Sequence, residues 1–121
     1  MHYTVAVLGA SPNVDRYSNK AVFELMQHGH EVFPIHPTAV QIYGQKCYPN
    51  LAALPKEIHT LTLYVSTEKL AQLQTQILQL RPKRIIMNPG AEHAELEAAA
   101  QAQQIEVVRG CTLVMLRLKQ F

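Results

Sequence analysis

Five short apolar runs, Thr4 to Leu8, Glu31 to Ile35, Thr60 to Val65, Arg84 to Met87 and Ile105 to Val108, alternate along this chain with stretches of helical periodicity. A short aliphatic and β-branched run with little polar alternation suits a strand covered on both faces. Between the runs, Ala21, Val22, Leu25 and Met26 recur at helical spacing, as do Leu70, Leu73, Ile77 and Leu80 within Thr67 to Leu80. The alanine-rich stretch Ala94 to Gln103 is a third helix, with Glu92 and Glu95 near its start, where carboxylates favour the helix dipole. Strands that alternate with helices require crossover connections and therefore a parallel sheet. The expected fold is a single α/β, Rossmann-like domain over residues 1–121, a doubly wound parallel five-stranded sheet with helices on both faces. The expected strand order, 3-2-1-4-5, puts the ligand crevice between the first and fourth strands.

Local signals refine these elements. Ser18 is placed to cap the first helix and Gly29 to end it. Pro34 marks an edge in the second strand, and Pro37 turns the chain out of the sheet. Thr38 to Pro55 carries Gly44, Pro49 and Pro55 and is expected to be an excursion with at most one helical turn. Leu113, Val114, Leu116, Leu118 and Phe121 form a short amphipathic tail, expected to be helical.

Composition excludes several function classes. Apolar residues are 48% and charged residues 17% of the 121, enough to bury a core. The formal charge of +2 is interspersed, without the basic face that nucleic-acid binding requires. The longest apolar runs are of strand length, so no membrane span is expected. Cys47 and Cys111 lie far apart with no metal-ligand spacing, and no charged-then-apolar signal opens the chain, so a cytoplasmic location is expected. His28, His30, His59 and His93 are expected at the surface rather than on a metal. No Ser-His-Asp set or paired carboxylate stands out, which favours a binder without catalysis of its own.

Two segments follow strands that border the expected crevice. Gly9-Ala10-Ser11-Pro12-Asn13 offers backbone N–H groups and a hydroxyl before a helix, a combination suited to anions. Asn88-Pro89-Gly90-Ala91-Glu92 offers a glycine for close approach and polar groups for hydrogen bonding. Arg16, Lys20 and the Ser18-Asn19 pair cluster where the first helix begins and are candidate cofactor contacts, since charge-assisted hydrogen bonds to a pyrophosphate are strong there. A nicotinamide cofactor needs G-x-G-x-x-G and an acidic residue after the second strand. Here Ser11 and Val14 take the later glycine positions, and His36-Pro37 replaces the acid. Without that carboxylate, a phosphorylated ribose meets no like charge.

The stretch Val7-Leu8-Gly9-Ala10-Ser11-Pro12-Asn13 with Arg16-Tyr17-Ser18-Asn19-Lys20-Ala21-Val22 resembles the small bacterial coenzyme A-binding proteins. Those proteins are in turn similar to the nucleotide-binding domain of succinyl-coenzyme A synthetase. The resemblance continues through His30 to Pro37, Gly44 to Pro49, Leu63 to Ser66, Asn88 to Glu92 and Cys111 to Leu116, nearly the whole chain. It implies coenzyme A as cofactor, with Gly9, Ala10, Ser11, Arg16, Ser18 and Lys20 around its phosphates. It further implies that His36, Pro37, Tyr64, Val65 and Ser66 border the adenosine, and that Asn88, Pro89, Gly90 and Glu92 line the pantetheine path. Two departures from the family pattern are His36, where Asn is usual before the proline, and Arg109, where an acidic residue is usual. Cys111 near the same edge raises the hypothesis of a mixed disulfide with the cofactor thiol.

The main functional expectation is a non-catalytic module that binds coenzyme A or an acyl-coenzyme A. The alternative is a subunit of an acyl-coenzyme A ligase or transferase that acts with a separate catalytic chain. An NAD-type redox protein and an interaction scaffold using the apolar tail, including a homo-oligomer, are the remaining readings.

Overall fold

The computed structural model describes residues 2–121. The chain runs β1 (Thr4–Leu8), α1 (Tyr17–Gln27), β2 (Glu31–Ile35), β3 (Gln41–Ile42), β4 (Gln45–Lys46), a 3-10 turn (Leu51–Ala53), β5 (Thr60–Leu63), α2 (Thr67–Leu80), β6 (Arg84–Met87), α3 (Ala94–Ala102), β7 (Glu106–Arg109) and α4 (Thr112–Arg117). One five-stranded sheet in the order β2-β1-β5-β6-β7 is parallel throughout. The expected Rossmann-like layering therefore holds, with helices on both faces.

The side-chain alternation of β1 divides the core between two faces. Val5 and Val7 pack with Val22 and Leu25 of α1 and Leu116 of α4, whereas Ala6 and Leu8 join Leu70, Ile77, Leu96 and Ala100 of α2 and α3. In β5 the same alternation sends Leu61 and Leu63 into the α2/α3 core. It leaves Thr60 and Thr62, both fully buried, for the other face. Buried hydroxyls need partners. Thr60 takes one from Arg84 Nε at 3.0 Å, and Thr62 pairs with the Thr112 hydroxyl at 2.8 Å.

The expected strand order is corrected: the order in chain sequence of the five long strands is 2-1-3-4-5. The cause lies at the outer edge of β2. Tyr48 bridges to Ile35, donates its N–H to Pro34 O at 2.9 Å and accepts from His36 N at 3.0 Å. That edge is thereby occupied, and the next long strand crosses to the free edge of β1, where Val5 to Leu8 align with Thr60 to Leu63. The switch point consequently falls between β1 and β5.

Two other local expectations also change. The excursion after Pro37 holds a β3–β4 hairpin as well as its single 3-10 turn, with Tyr43 and Gly44 both at positive φ, 51° and 78°. Two successive left-handed residues make the tight turn whose twist matches that of paired strands. Ser18 is not a cap; α1 starts at Tyr17, with Arg16 at the cap position, and Ser18 is buried in the first turn.

Candidate functional site

A cleft of about 740 Å³ opens beyond the carboxyl ends of β1 and β5. This is where ligands bind in open parallel sheets. Three loops wall it. Gly9, Ala10, Ser11, Asp15, Arg16, Tyr17 and Ser18 come from β1–α1, Tyr64, Val65 and Ser66 from β5–α2, and Pro89, Gly90 and Ala91 from the end of β6, while His36 and Pro37 close the β2 side. An apolar groove of about 430 Å³ adjoins it, sharing Gly9, Ala10, Pro37 and Val65 and extending over Leu51 and Leu73.

The β1–α1 loop is held in shape by its own polar groups. Asn13 N donates to Ser11 Oγ at 3.1 Å, Asp15 N to Asn13 Oδ1 at 2.9 Å, and Arg16 N to Asn13 O at 3.1 Å. The helix that follows is not closed by a side chain, since Arg16 makes no capping hydrogen bond. By contrast, Ser66 Oγ caps α2 by accepting from Lys69 N at 3.2 Å, and His93 Nδ1 caps α3 by accepting from Leu96 N at 3.0 Å. Asn19 N and Lys20 N already donate to Arg16 O, at 3.1 and 3.2 Å, so the first-turn N–H groups left without a partner among the described residues are those of Tyr17 and Ser18, both in the cleft wall with the positive end of the helix dipole behind them.

Gly9 has φ +89°, and a Cβ there would lie 2.6 Å from Tyr64 O and 2.8 Å from Val65 Cγ1. A side chain is excluded because the β1 and β5 loops touch at this point. Gly90 has the same φ, but nothing lies within 4 Å of its Cβ position. On the β2 side, His36 Nδ1 accepts from Thr38 N at 3.1 Å and Ala39 N at 2.9 Å. A ring nitrogen that accepts carries no hydrogen, so the network assigns the proton of this cleft-lining ring to Nε2.

Four of the expected residues stand outside the cleft wall. Asn88 lies beneath it, 2% exposed, where Nδ2 donates to Thr62 Oγ1 at 2.7 Å and Leu63 O at 2.8 Å and Oδ1 accepts from Thr112 N at 2.8 Å. Its amide ties β5, β6 and α4 together. Asn19 is also 2% exposed; it donates to Ser11 O at 2.9 Å and accepts from Tyr43 Oη at 2.6 Å. Lys20 Nζ donates to Val14 O at 3.1 Å, strapping the loop from outside. Glu92 Oε1 accepts from Gly90 N at 3.0 Å and fixes the bend of the β6 loop. Asp15, Tyr17 and Ala91 join the wall without having been expected there; the first two flank Arg16, so the position of the loop itself was the available signal.

The Tyr64 ring packs on the α1/α4 side, and its hydroxyl is buried with no partner at hydrogen-bonding geometry among the described residues. Burial pushes this phenol up to about 12, against the smaller opposing pull of the Thr112 hydroxyl. Tyr64 is therefore a neutral wall. Cys111 lies elsewhere, half-buried in a depression with Val108, Gly110 and Met115. Arg109 is paired with Glu97, Nη2 to Oε1 at 2.6 Å. The guanidinium that departs from the family pattern thus has its counter-charge beside it.

Among the described residues no three His, Cys, Asp or Glu side chains are grouped to hold a metal ion, and no helix is long and apolar enough to cross a membrane. His30 and His59 differ from their expected exposure, since both are half-buried and stack on Tyr3. Their pKa values lie below the ordinary value, through burial first and then neighbouring cations, His2 for His30 and Arg84 for His59.

Residues 3–117 match the family model for a CoA binding domain. The chain belongs to this family. Its solved relatives include an uncharacterized protein 34% identical, with a TM-score of 0.88 over 100% of this chain and 99% of the other. A Thermus thermophilus protein is 26% identical, with a TM-score of 0.89 over 98% of this chain and 90% of its own. An ADP-forming acetate–CoA ligase of Archaeoglobus fulgidus is 27% identical over 110 residues, 88% of this chain. The match spans only 16% of that ligase.

Proposed function

We propose that this CoA binding domain holds coenzyme A or an acyl-coenzyme A in the cleft between β1 and β5, as the cofactor-binding part of an acyl-coenzyme A ligase whose catalytic groups lie on another domain or chain. The observation that carries the reading is the uncapped amino end of α1, opening with Arg16 on a cleft at the switch point. Unpaired N–H groups and a guanidinium together recognise a pyrophosphate. The apolar groove beside them suits the faces of a purine. The His36 donor, where a dinucleotide enzyme would carry an acid, fits a phosphorylated ribose. The likeness to a small part of an ADP-forming ligase supports the division of labour.

A second reading, a free-standing coenzyme A-binding protein, is favoured by solved relatives close to this chain in length. Both readings require the same ligand. Isothermal titration with coenzyme A, 3′-dephospho-coenzyme A and NAD tests it: coenzyme A should bind, the dephospho form more weakly, and NAD not at all. Binding of NAD alone would overturn the proposal. The chain alone, given coenzyme A, ATP and acetate, should form no acetyl-coenzyme A; formation of that thioester would refute the absence of intrinsic catalysis.

A further inference from the structure

We infer that Tyr43, on the hairpin outside the cleft, is a positioning residue for the anion-binding loop and acts through Asn19; the inference rests on the cleft receiving a phosphate-bearing ligand. The peptide between Ser11 and Pro12 has no N–H, because its nitrogen belongs to proline. Alone among the peptides around Ser11 it brings a carbonyl dipole and no donor, so turned toward the cleft it would only repel an anion. The structure turns Ser11 O onto the buried amide of Asn19, 2.9 Å from Nδ2. That amide has a rotational freedom that would let it present oxygen instead of nitrogen. The Ser11 carbonyl can only accept and so selects Nδ2, and the Tyr43 hydroxyl, donating to Asn19 Oδ1 at 2.6 Å, holds the amide in place from its other end.

The hairpin is shaped for this contact at a local cost. Tyr43 has φ 51°, a left-handed conformation in which asparagine, aspartate or glycine is usual and a bulky side chain is strained. Its ring packs on Phe23 of α1, with centroids 5.3 Å apart, one helical turn beyond Asn19. Strain at one residue is retained where surrounding contacts over-determine it. Here those contacts lead to the loop that faces the cleft.

Tyr43→Phe keeps the ring on Phe23 and removes only the donor. Its affinities for coenzyme A and for adenosine, which lacks phosphate, are compared with wild type by NMR titration. Loss of one neutral hydrogen bond should weaken coenzyme A by about three- to tenfold. Adenosine should be unchanged. The ratio of the two is the decisive quantity, because a general loss of stability would leave it where it was. Unchanged coenzyme A affinity, or equal weakening of both ligands, overturns the positioning role. Wild-type protein that binds no coenzyme A overturns the reading of the cleft itself, and the positioning role with it.

Discussion

Replacing Asn88 by Ala should destabilise the fold itself, in the absence of any ligand. The side chain makes three buried hydrogen bonds, to Thr62 Oγ1, Leu63 O and Thr112 N, at 2.7, 2.8 and 2.8 Å. Alanine orphans the Thr112 N–H at the start of α4, where Thr112 is fully buried. An unsatisfied buried group costs about 1–3 kcal/mol, and each of the other two lost bonds about 0.5–1.5 kcal/mol. Thr62 is partly protected, because its hydroxyl keeps the Thr112 hydroxyl at 2.8 Å. The mid-range values sum to about 4 kcal/mol, and the protection of Thr62 brings the expected loss to about 3–4 kcal/mol, a large part of the roughly 5–15 kcal/mol that stabilises a domain. With an unfolding entropy near 2.1 cal/mol/K per residue, each kcal/mol moves Tm by about 4 °C in a chain of this size, so a fall of about 12–16 °C is expected. Calorimetry on the free protein measures it, and amide exchange should quicken first in Thr112–Arg117. A fall below about 4 °C, or α4 amides as protected as before, would refute the argument that this amide joins the three elements.

Gly9→Ala should cost more than about 2 kcal/mol, since a strained φ is joined by a clash with Tyr64 O, whereas Gly90→Ala should cost only about 1–2 kcal/mol for its φ; equal chemical-denaturation midpoints for the two would contradict the loop contact. Because the folded-state pKa values of His30 and His59 lie below their unfolded value, the unfolded chain binds more protons just below that value. Stability should therefore be full above about pH 6.5 and fall as pH drops from there toward the lowered folded values; a urea midpoint that rises on acidification to pH 5.5 would contradict the sign. Burial pushes the Cys47 thiol up, so native alkylation followed by mass spectrometry should label Cys111 first and Cys47 only on unfolding. Simultaneous labelling would show Cys47 to be accessible.

The long elements were legible because burial writes itself as periodicity. Thr67–Leu80 and Arg84–Met87 carry apolar residues at helical and strand spacing, and both appear with the expected bounds. The β3–β4 hairpin was not legible, since strands of two residues have no period and Tyr43 is not a usual residue for a left-handed turn. Strand order depends on Tyr48 covering the edge of β2, a long-range contact that no local pattern records. In the site, the rule that ligands sit at the carboxyl edge of a parallel sheet points to the loops after β1 and β6, whereas the end of β5 enters only through the family resemblance. In the sequence alone Asn19 and Asn88 read as ligand contacts, because an amide suits a ligand and a backbone equally. Only burial separates the two uses, and both side chains are 2% exposed.

The central claim is that a phosphate-bearing ligand sits between β1 and β5 against the open end of α1. Backbone amide chemical shifts of labelled protein, followed during titration with coenzyme A, test it most directly. The largest changes should fall on Ala10, Ser11, Tyr17, Ser18, Val65 and Gly90, with Val108, Cys111 and Val114 unmoved. Changes centred on the Cys111 depression, with the β1–α1 loop silent, would contradict the account.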